Sequence, residues 1–230
     1  MDKQGLSVCI IAKNEEENIA KCLESIKDAA SEIILVDTGS DDKTIEIAES
    51  YGCRIYQSPW KNDFSQARNT AISHAGEEFI LSIDADERLV TPENLMNVIQ
   101  NAKGDTGGWV LNVVSRARRE DGGVDKFNAK LLRLFRNHEN IRFKGIIHEQ
   151  IAQSILDSGY KIETSGIVLD HGGYDITTED MAKKQSRNLN LLDKALQDKP
   201  DDPYLIYQRA KTHLALTDYE NAEKDIAKTI

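Results

Sequence analysis

Cysteine is scarce. The 230 residues hold three, Cys9, Cys22 and Cys53, and no two of them stand in Cys-x-x-Cys spacing. That excludes zinc or disulfides as the organising principle, and each thiol reads as a small core residue of a reduced compartment. Long apolar runs are also lacking. Leu6 to Ala12 is too short to span a membrane and leads straight into Lys13-Asn14-Glu15-Glu16-Glu17. Neither a signal peptide nor an integral membrane segment is therefore expected, and a cytoplasmic location follows by default. No Gly-x-Gly-x-x-Gly follows that first apolar run, which excludes a Rossmann dehydrogenase. Gly-x-x-x-x-Gly-Lys is missing too, which excludes a P-loop phosphotransferase. Positive charge is in deficit: the net charge is −10, which argues against whole-surface attraction to nucleic acid or anionic membrane. From Trp109 to Gln150, however, nine Lys/Arg face five Asp/Glu, as on a phosphate-facing surface or a solvated hairpin.

The length allows one large domain, or one domain and a small appendage. Leu6–Ala12 reads as a short, almost wholly apolar strand buried on both faces, and Glu32–Asp37, Cys53–Gln57 and Phe79–Ile83 as the strands that follow it. Helices are expected between them. The first is capped by Asn14, with Glu17 at the capping-box position and Ile19, Leu23 and Ile26 buried. The second starts at Ser40, buries Ile45 and Ala48 and stops at Gly52. The third runs from Asp63 to Ala75. Thr91-Pro92 opens another, with Pro at its first position. Alternation of this length predicts an α/β fold with a mostly parallel sheet, whose ligands bind beyond the carboxyl ends of the strands. Lys13-Asn14, Asp37-Thr38-Gly39-Ser40 and Asp84-Ala85-Asp86 all fall at such ends.

After Gly107 the pattern turns antiparallel. Strands are expected at Trp109–Ser115 and Lys130–Arg136 around Asp121-Gly122-Gly123, at Ile141–Ile147, and at Ser165–Asp170 before His171-Gly172-Gly173. From Thr177 the chain becomes polar and helical, with Met181–Gln197, a Pro200-Asp201-Asp202-Pro203 break, Tyr204–Leu216 and Tyr219–Thr229. Ala210, Tyr219 and Ala222 match small and aromatic positions of a tetratricopeptide unit. About one such repeat fits before Ile230, so an incomplete array or a capping helix is expected. Trp60 and Trp109 read as core or rim aromatics.

Asp84 and Asp86 carry the clearest chemistry. Side chains two apart on a strand share a face, so two carboxylates at a fraying strand end can share one hard divalent cation. That cation can take diphosphate oxygens as further ligands and stabilise the group as it leaves.

Four segments in order, Val8–Glu16, Val36-Asp37-Thr38-Gly39-Ser40, Asp63–Asn69 and Leu81–Glu87, resemble the family 2 glycosyltransferases of GT-A fold. The specific likeness is to a bacterial branch with tetratricopeptide repeats behind the catalytic domain. The resemblance implies a GT-A domain over residues 1–176 and a helical tetratricopeptide-like segment over 177–230. It implies inverting transfer from a nucleotide-diphospho-sugar, usually a UDP-sugar, assisted by Mg²⁺ or Mn²⁺. The acceptor would be a peptide or protein, otherwise a saccharide. By the same resemblance Ile11, Ala12, Lys13 and Asn14 shape the nucleotide pocket, Asp37 reads the base, and Arg68 lies beside the nucleotide. Many relatives have two consecutive aspartates where this chain has Asp37-Thr38. Asp86 is the stronger metal ligand, with Asp84 nearer the ribose or the metal, and His171 completes the metal shell. An inverting displacement also needs a group to take the acceptor's proton. Glu149 fits that role, with His148 as rival. Each has a plainer reading: Asp37 as a turn cap, Arg68 as a surface ion-pair partner, His148 and Glu149 as a hairpin pair, His171 as a structural histidine. The alternative for the whole chain is a nucleotide-sugar-binding or protein-docking module that acts through its helical tail.

Overall fold

The structure, a computed structural model, describes residues 5–118, 123–172 and 178–229. Asp121 and Gly122 of the expected turn, Gly173 after His171, and the 176/177 boundary lie outside those residues. The described chain falls into two compact units. The first comprises residues up to Lys61, Gln66–Phe143 and Gln150–Tyr174. The second comprises Asn62–Ser65, Lys144–Glu149 and the chain from Asp175 onward.

The first unit is built on a mixed sheet of eight strands: β1 (Leu6–Ala12), β2 (Glu32–Asp37), β3 (Arg54–Gln57), β4 (Phe79–Asp84), β5 (Glu87–Leu89), β6 (Thr106–Arg118), β7 (Val124–Arg136) and β8 (Lys161–His171). They lie in the order β3-β2-β1-β4-β7-β6-β8-β5. The first four are parallel, β7 pairs antiparallel with both β4 and β6, β6 runs parallel to β8, and β5 antiparallel to β8. The expected Rossmann-like sheet with antiparallel additions is present, and it is consistent with a GT-A-type fold. The central strands β1, β2 and β4 are largely apolar because helices or loops cover both of their faces. Val8, Ile10, Leu81 and Ile83 pack with Ile19, Leu23 and Ile26 of helix α1 (Ile19–Ile26) and with Leu95 and Ile99 of α4 (Pro92–Gln100). On the other face Cys9, Ile34, Val36 and Ile80 meet Ala71 and Ile72 of α3 (Phe64–Ser73), Ile155 of α5 (Ala152–Asp157), and the loop residues Ile141 and Phe143. Trp109 is a core residue tilted against Phe79, ring centroids 5.7 Å apart.

Several local expectations are corrected. Asn14 does not cap α1. The helix starts at Ile19 behind Asn18, and Asn14 instead adopts a left-handed backbone with φ 56°. Helix α2 is Thr44–Ser50 rather than starting at Ser40, because Asp42 Oδ1 accepts from both Thr44 N and Thr44 Oγ1 and turns the chain there. Within α2, Thr44 and Ala48 are the buried residues and Ile45 is half-buried. Ile141–Ile147 is not a strand. Its Phe143 exchanges both backbone bonds with the Asn69 side-chain amide, each at 2.9 Å, so an amide stands in for the strand neighbour. Strand β8 extends well past Ser165–Asp170, while β5 and α5 were not expected at all.

The second unit contains α6 (Thr178–Asp198), α7 (Pro203–Ala215) and α8 (Tyr219–Thr229). Asp202 caps α7 by accepting from Tyr204 N and Leu205 N, with Pro203 at the first helical position, so the expected break is also a helix start. Arg209 grips Asp225 with two bonds of 2.7 Å and Asp193 with one of 2.9 Å, tying the three helices together. Among the described residues no helix is long and apolar enough to cross a membrane.

Candidate functional site

Strand register brings three of the expected polar segments to one rim of the first unit. Ala12 pairs with Asp37 and Ile11 with Asp84, so β1, β2 and β4 end side by side. The two loops that leave β1 and β2 are joined. Asn14 N donates to Ser40 Oγ at 2.9 Å and Asn14 Oδ1 accepts from Asp41 N at 2.9 Å. Glu15 N donates to Thr44 Oγ1, Glu16 N to Asp42 Oδ2, and Lys43 N to Glu16 Oε2. Thr38 N donates to Ala12 O. Lys13 and Asn14 are exposed, Ile11 is half-buried and Ala12 buried.

Asp37 is 3% exposed, and its carboxylate accepts from Gly39 N at 2.9 Å and from Ser40 N at 3.1 Å. Gly39 sits at φ 113°, a conformation that costs glycine little. The turn-capping reading of Asp37 therefore describes what its carboxylate does among these residues. It gives the loop its shape.

Asp84 closes β4, and the strand alternation stops with it, because Ala85 and Asp86 form a turn into β5. The two carboxylates consequently meet different partners. Asp84 Oδ1 accepts from Arg68 Nη2 at 2.7 Å, and Oδ2 accepts from Arg133 Nη2 at 2.6 Å. Arg68 lies in α3, is buried, and also donates to Ser82 Oγ at 3.1 Å. It is not a surface ion-pair residue. Arg133 Nη2 reaches Glu87 Oε1 at 3.2 Å as well, and Glu87 Oε2 accepts the Asp84 N–H at 2.9 Å. The result is a tetrad in which two buried guanidiniums and the buried Glu87 carboxylate surround the half-buried Asp84 carboxylate. Burial alone would raise the Asp84 pKa, but the Arg133 and Arg68 charges overcome it and hold the carboxyl well below its usual range. Burial raises that of Glu87, and the nearby Asp84 charge adds to the rise against the opposing pull of Arg133.

Asp86 is also half-buried but meets a different partner. Its Oδ2 lies 3.0 Å from His171 Nε2, and the two side chains are 20% and 25% exposed. The sheet sets this meeting: β5 and β8 pair Glu87 with His171, and Gly172 N donates to Asp86 O at 3.0 Å. His171 Nδ1 lies 3.5 Å from Ser115 Oγ, its neighbour across β6 and β8. A histidine whose second nitrogen is oriented this way is suited to metal ligation. Among the described residues no group of three or more His, Cys, Asp or Glu could hold a metal by itself. A carboxylate and an imidazole still fit a divalent ion that takes its remaining ligands from phosphate oxygens and water.

His148 and Glu149 belong to the second unit, in the short segment Lys144–Glu149. The segment is sharply bent, with Gly145 at φ 102° and His148 at φ 49°. Burial pushes the His148 pKa down, Glu149 partly offsets this, and Lys211 of α7 adds to the fall. Burial thus favours the uncharged imidazole. Phe64 N donates to Ile146 O at 2.9 Å and fixes the segment to the start of α3.

Sequence reasoning missed Arg133 and Glu87 as members of the site. Arg133 had a signal: one charge inside Leu131-Leu132-Arg133-Leu134-Phe135. Glu87 lies one residue past the recognised Asp-x-Asp, and its carboxylate turns back into the core.

The family model described as "Glycosyl transferase family 2" matches residues 7–157. A TPR repeat-containing protein of Synechococcus elongatus is 33% identical over 206 residues, covering 87% of this chain and 50% of that protein. Glycosyltransferase SunS of Bacillus phage SPbeta is 31% identical over 229 residues, covering 95% of this chain and 52% of that protein. The chain thus spans about half the length of these curated relatives. Among solved structures, S. aureus TarS matches with a TM-score of 0.54 at 17% identity, covering 95% of this chain and 43% of that one. The mannosyltransferase PcManGT from Pyrobaculum calidifontis, in complex with GDP-Man and Mn²⁺, matches with a TM-score of 0.54 at 20% identity, covering 96% and 74%. At such identities the likeness to the solved structures is one of fold.

Proposed function

The chain belongs to glycosyl transferase family 2, and from that premise we propose that it moves a sugar from a nucleotide-diphospho-sugar, a UDP-sugar, onto a peptide or protein acceptor with inversion. The observation that carries this reading is the partition of the Asp84-Ala85-Asp86 turn. Asp84 is committed to Arg68 and Arg133, and Asp86 stands beside His171 at the carboxyl end of the sheet. Asp86 and His171 would hold Mg²⁺ or Mn²⁺, which when bound supplies positive charge to a departing diphosphate. The metal role is thereby narrowed to those two, and Asp84 is assigned to shaping the pocket on the ribose side.

The zipped loops of Ile11–Asn14 and Asp37–Ser40 form the nucleotide side. Backbone groups of these loops, whose exposed residues are Lys13, Asn14 and Gly39, are proposed to meet the base in place of the Asp37 carboxylate. Glu149 is the proposed acceptor of the proton, with His148, whose burial favours the uncharged form, as its rival. We assign the helical unit, with its tetratricopeptide-like spacing, to the macromolecular acceptor, since stacked helical pairs present an extended concave surface. The peptide acceptor and the UDP donor draw support from the family resemblance, and the tetratricopeptide character also from the TPR repeat-containing relative, of which the chain covers 50%.

The test is a panel of UDP-, GDP- and dTDP-sugars incubated with the protein and Mn²⁺, with release of the nucleoside diphosphate as readout. Slow hydrolysis of UDP-sugars is the expected result. A protein that hydrolyses none of them yet binds them would favour the docking-module alternative.

A further inference from the structure

We propose that Arg133 is a positioning residue: with Glu87 it fixes the turn from Asp84 to Glu87 so that Asp86 is presented to a cation-bound nucleoside diphosphate. This rests on the reading that Asp86 and His171 receive the cation. Arg133 reaches the turn through a backbone irregularity. Trp109 of β6 pairs with Leu134, yet the next residue, Val110, pairs with Leu132, so Arg133 is an extra residue on β7. Such a bulge re-aims one side chain out of the regular alternation. Here it delivers a guanidinium into an otherwise apolar stretch, where a single nitrogen, Nη2, bridges Asp84 Oδ2 and Glu87 Oε1. Glu87 closes the same turn by accepting the Asp84 N–H, so the first and last residues of the turn are bonded to each other and to one cation.

Two features point to ligand chemistry rather than to stability. Arg133 Nε is sealed from solvent and has no hydrogen-bond acceptor among the described residues. A buried ion pair with an orphan donor is a poor stabilising device compared with apolar side chains of similar volume. The charge balance is the second. Arg68 and Arg133 oppose Asp84 and Glu87 two against two, so an incoming diphosphate meets the Asp86 carboxylate without the added repulsion of two uncompensated carboxylates behind it.

The experiment compares wild type with Arg133→Met, Arg133→Lys and the double variant Arg133→Met/Glu87→Gln. Mn²⁺ binding in the presence of UDP is followed by loss of the free-Mn²⁺ paramagnetic resonance signal, and each ligand-free protein is melted in parallel. Removing the cation should weaken Mn²⁺·UDP binding about 10–100-fold. Arg133→Lys should restore most of that affinity. The double variant, which removes a cation and an anion together, should melt closer to wild type than Arg133→Met while still binding weakly. That split between stability and affinity is what a merely structural residue would not give. A folded double variant with wild-type affinity overturns the positioning role. If wild type itself fails to take up Mn²⁺ with UDP, the cation reading of Asp86 and His171 falls first and the proposal falls with it.

Discussion

At the scale of single residues, the two aspartates of one short motif do different work, and their variants should separate it. Asp84→Asn removes the charge between two buried guanidiniums and should cost on the order of 3 kcal/mol in stability, read by urea unfolding. Asp86→Asn breaks a partly exposed contact with His171 and should cost less than about 1 kcal/mol. Equal losses would contradict the division of labour. For the proton acceptor, Glu149→Gln should leave donor binding intact and lower transfer by about 10²–10⁴-fold. Loss of transfer in His148→Ala with activity retained in Glu149→Gln would move the role to the histidine. The spacing Asp84-Ala85-Asp86 was legible in the sequence, but its geometry was not. Period-two alternation put both carboxylates on one face, whereas the strand ends at Asp84 and the chain turns. The lone charge of Arg133 in an apolar run was visible, but its inward aim was not, since the bulge that turns it depends on pairing between β6 and β7.

At the scale of elements, the rim of the sheet is made rigid by the two loops that leave β1 and β2. Asn14 is the hinge of that arrangement, with a left-handed backbone and bonds to Ser40 and Asp41. Asn14→Ala should cost about 1–2 kcal/mol because alanine resists that conformation. Asn14→Gly should cost less, since glycine accepts it. Thermal melts of both variants check the ordering, and a reversed order would remove backbone conformation as the cause. The parallel strands β1, β2 and β4 were read almost to the residue because burial on both faces makes them nearly continuous apolar runs. Ile141–Ile147 was misread because Ile141 and Phe143 are buried two apart, as in a strand, while the bonds that hold Phe143 come from the Asn69 side chain. Strand and loop look alike when only burial is encoded.

At the scale of the whole molecule, the two units divide the proposed tasks. The sheet and its rim lie in the first unit, whereas Lys144–Glu149 clusters with the helices of the second. A chain ending at residue 176 should therefore still bind UDP with Mn²⁺, yet lose both donor hydrolysis and transfer, because the segment carrying His148 and Glu149 loses the helices it packs with. Full transfer by that shorter chain would contradict the assignment. The central claim is that a divalent cation joins the protein to a nucleoside diphosphate through Asp86. Calorimetric titration of UDP into the wild-type protein, with Mn²⁺ and then with chelator, tests it most directly. The account predicts binding with Mn²⁺ that is lost in chelator, and none in Asp86→Asn under either condition. Equal UDP affinity with Mn²⁺ and with chelator would contradict it.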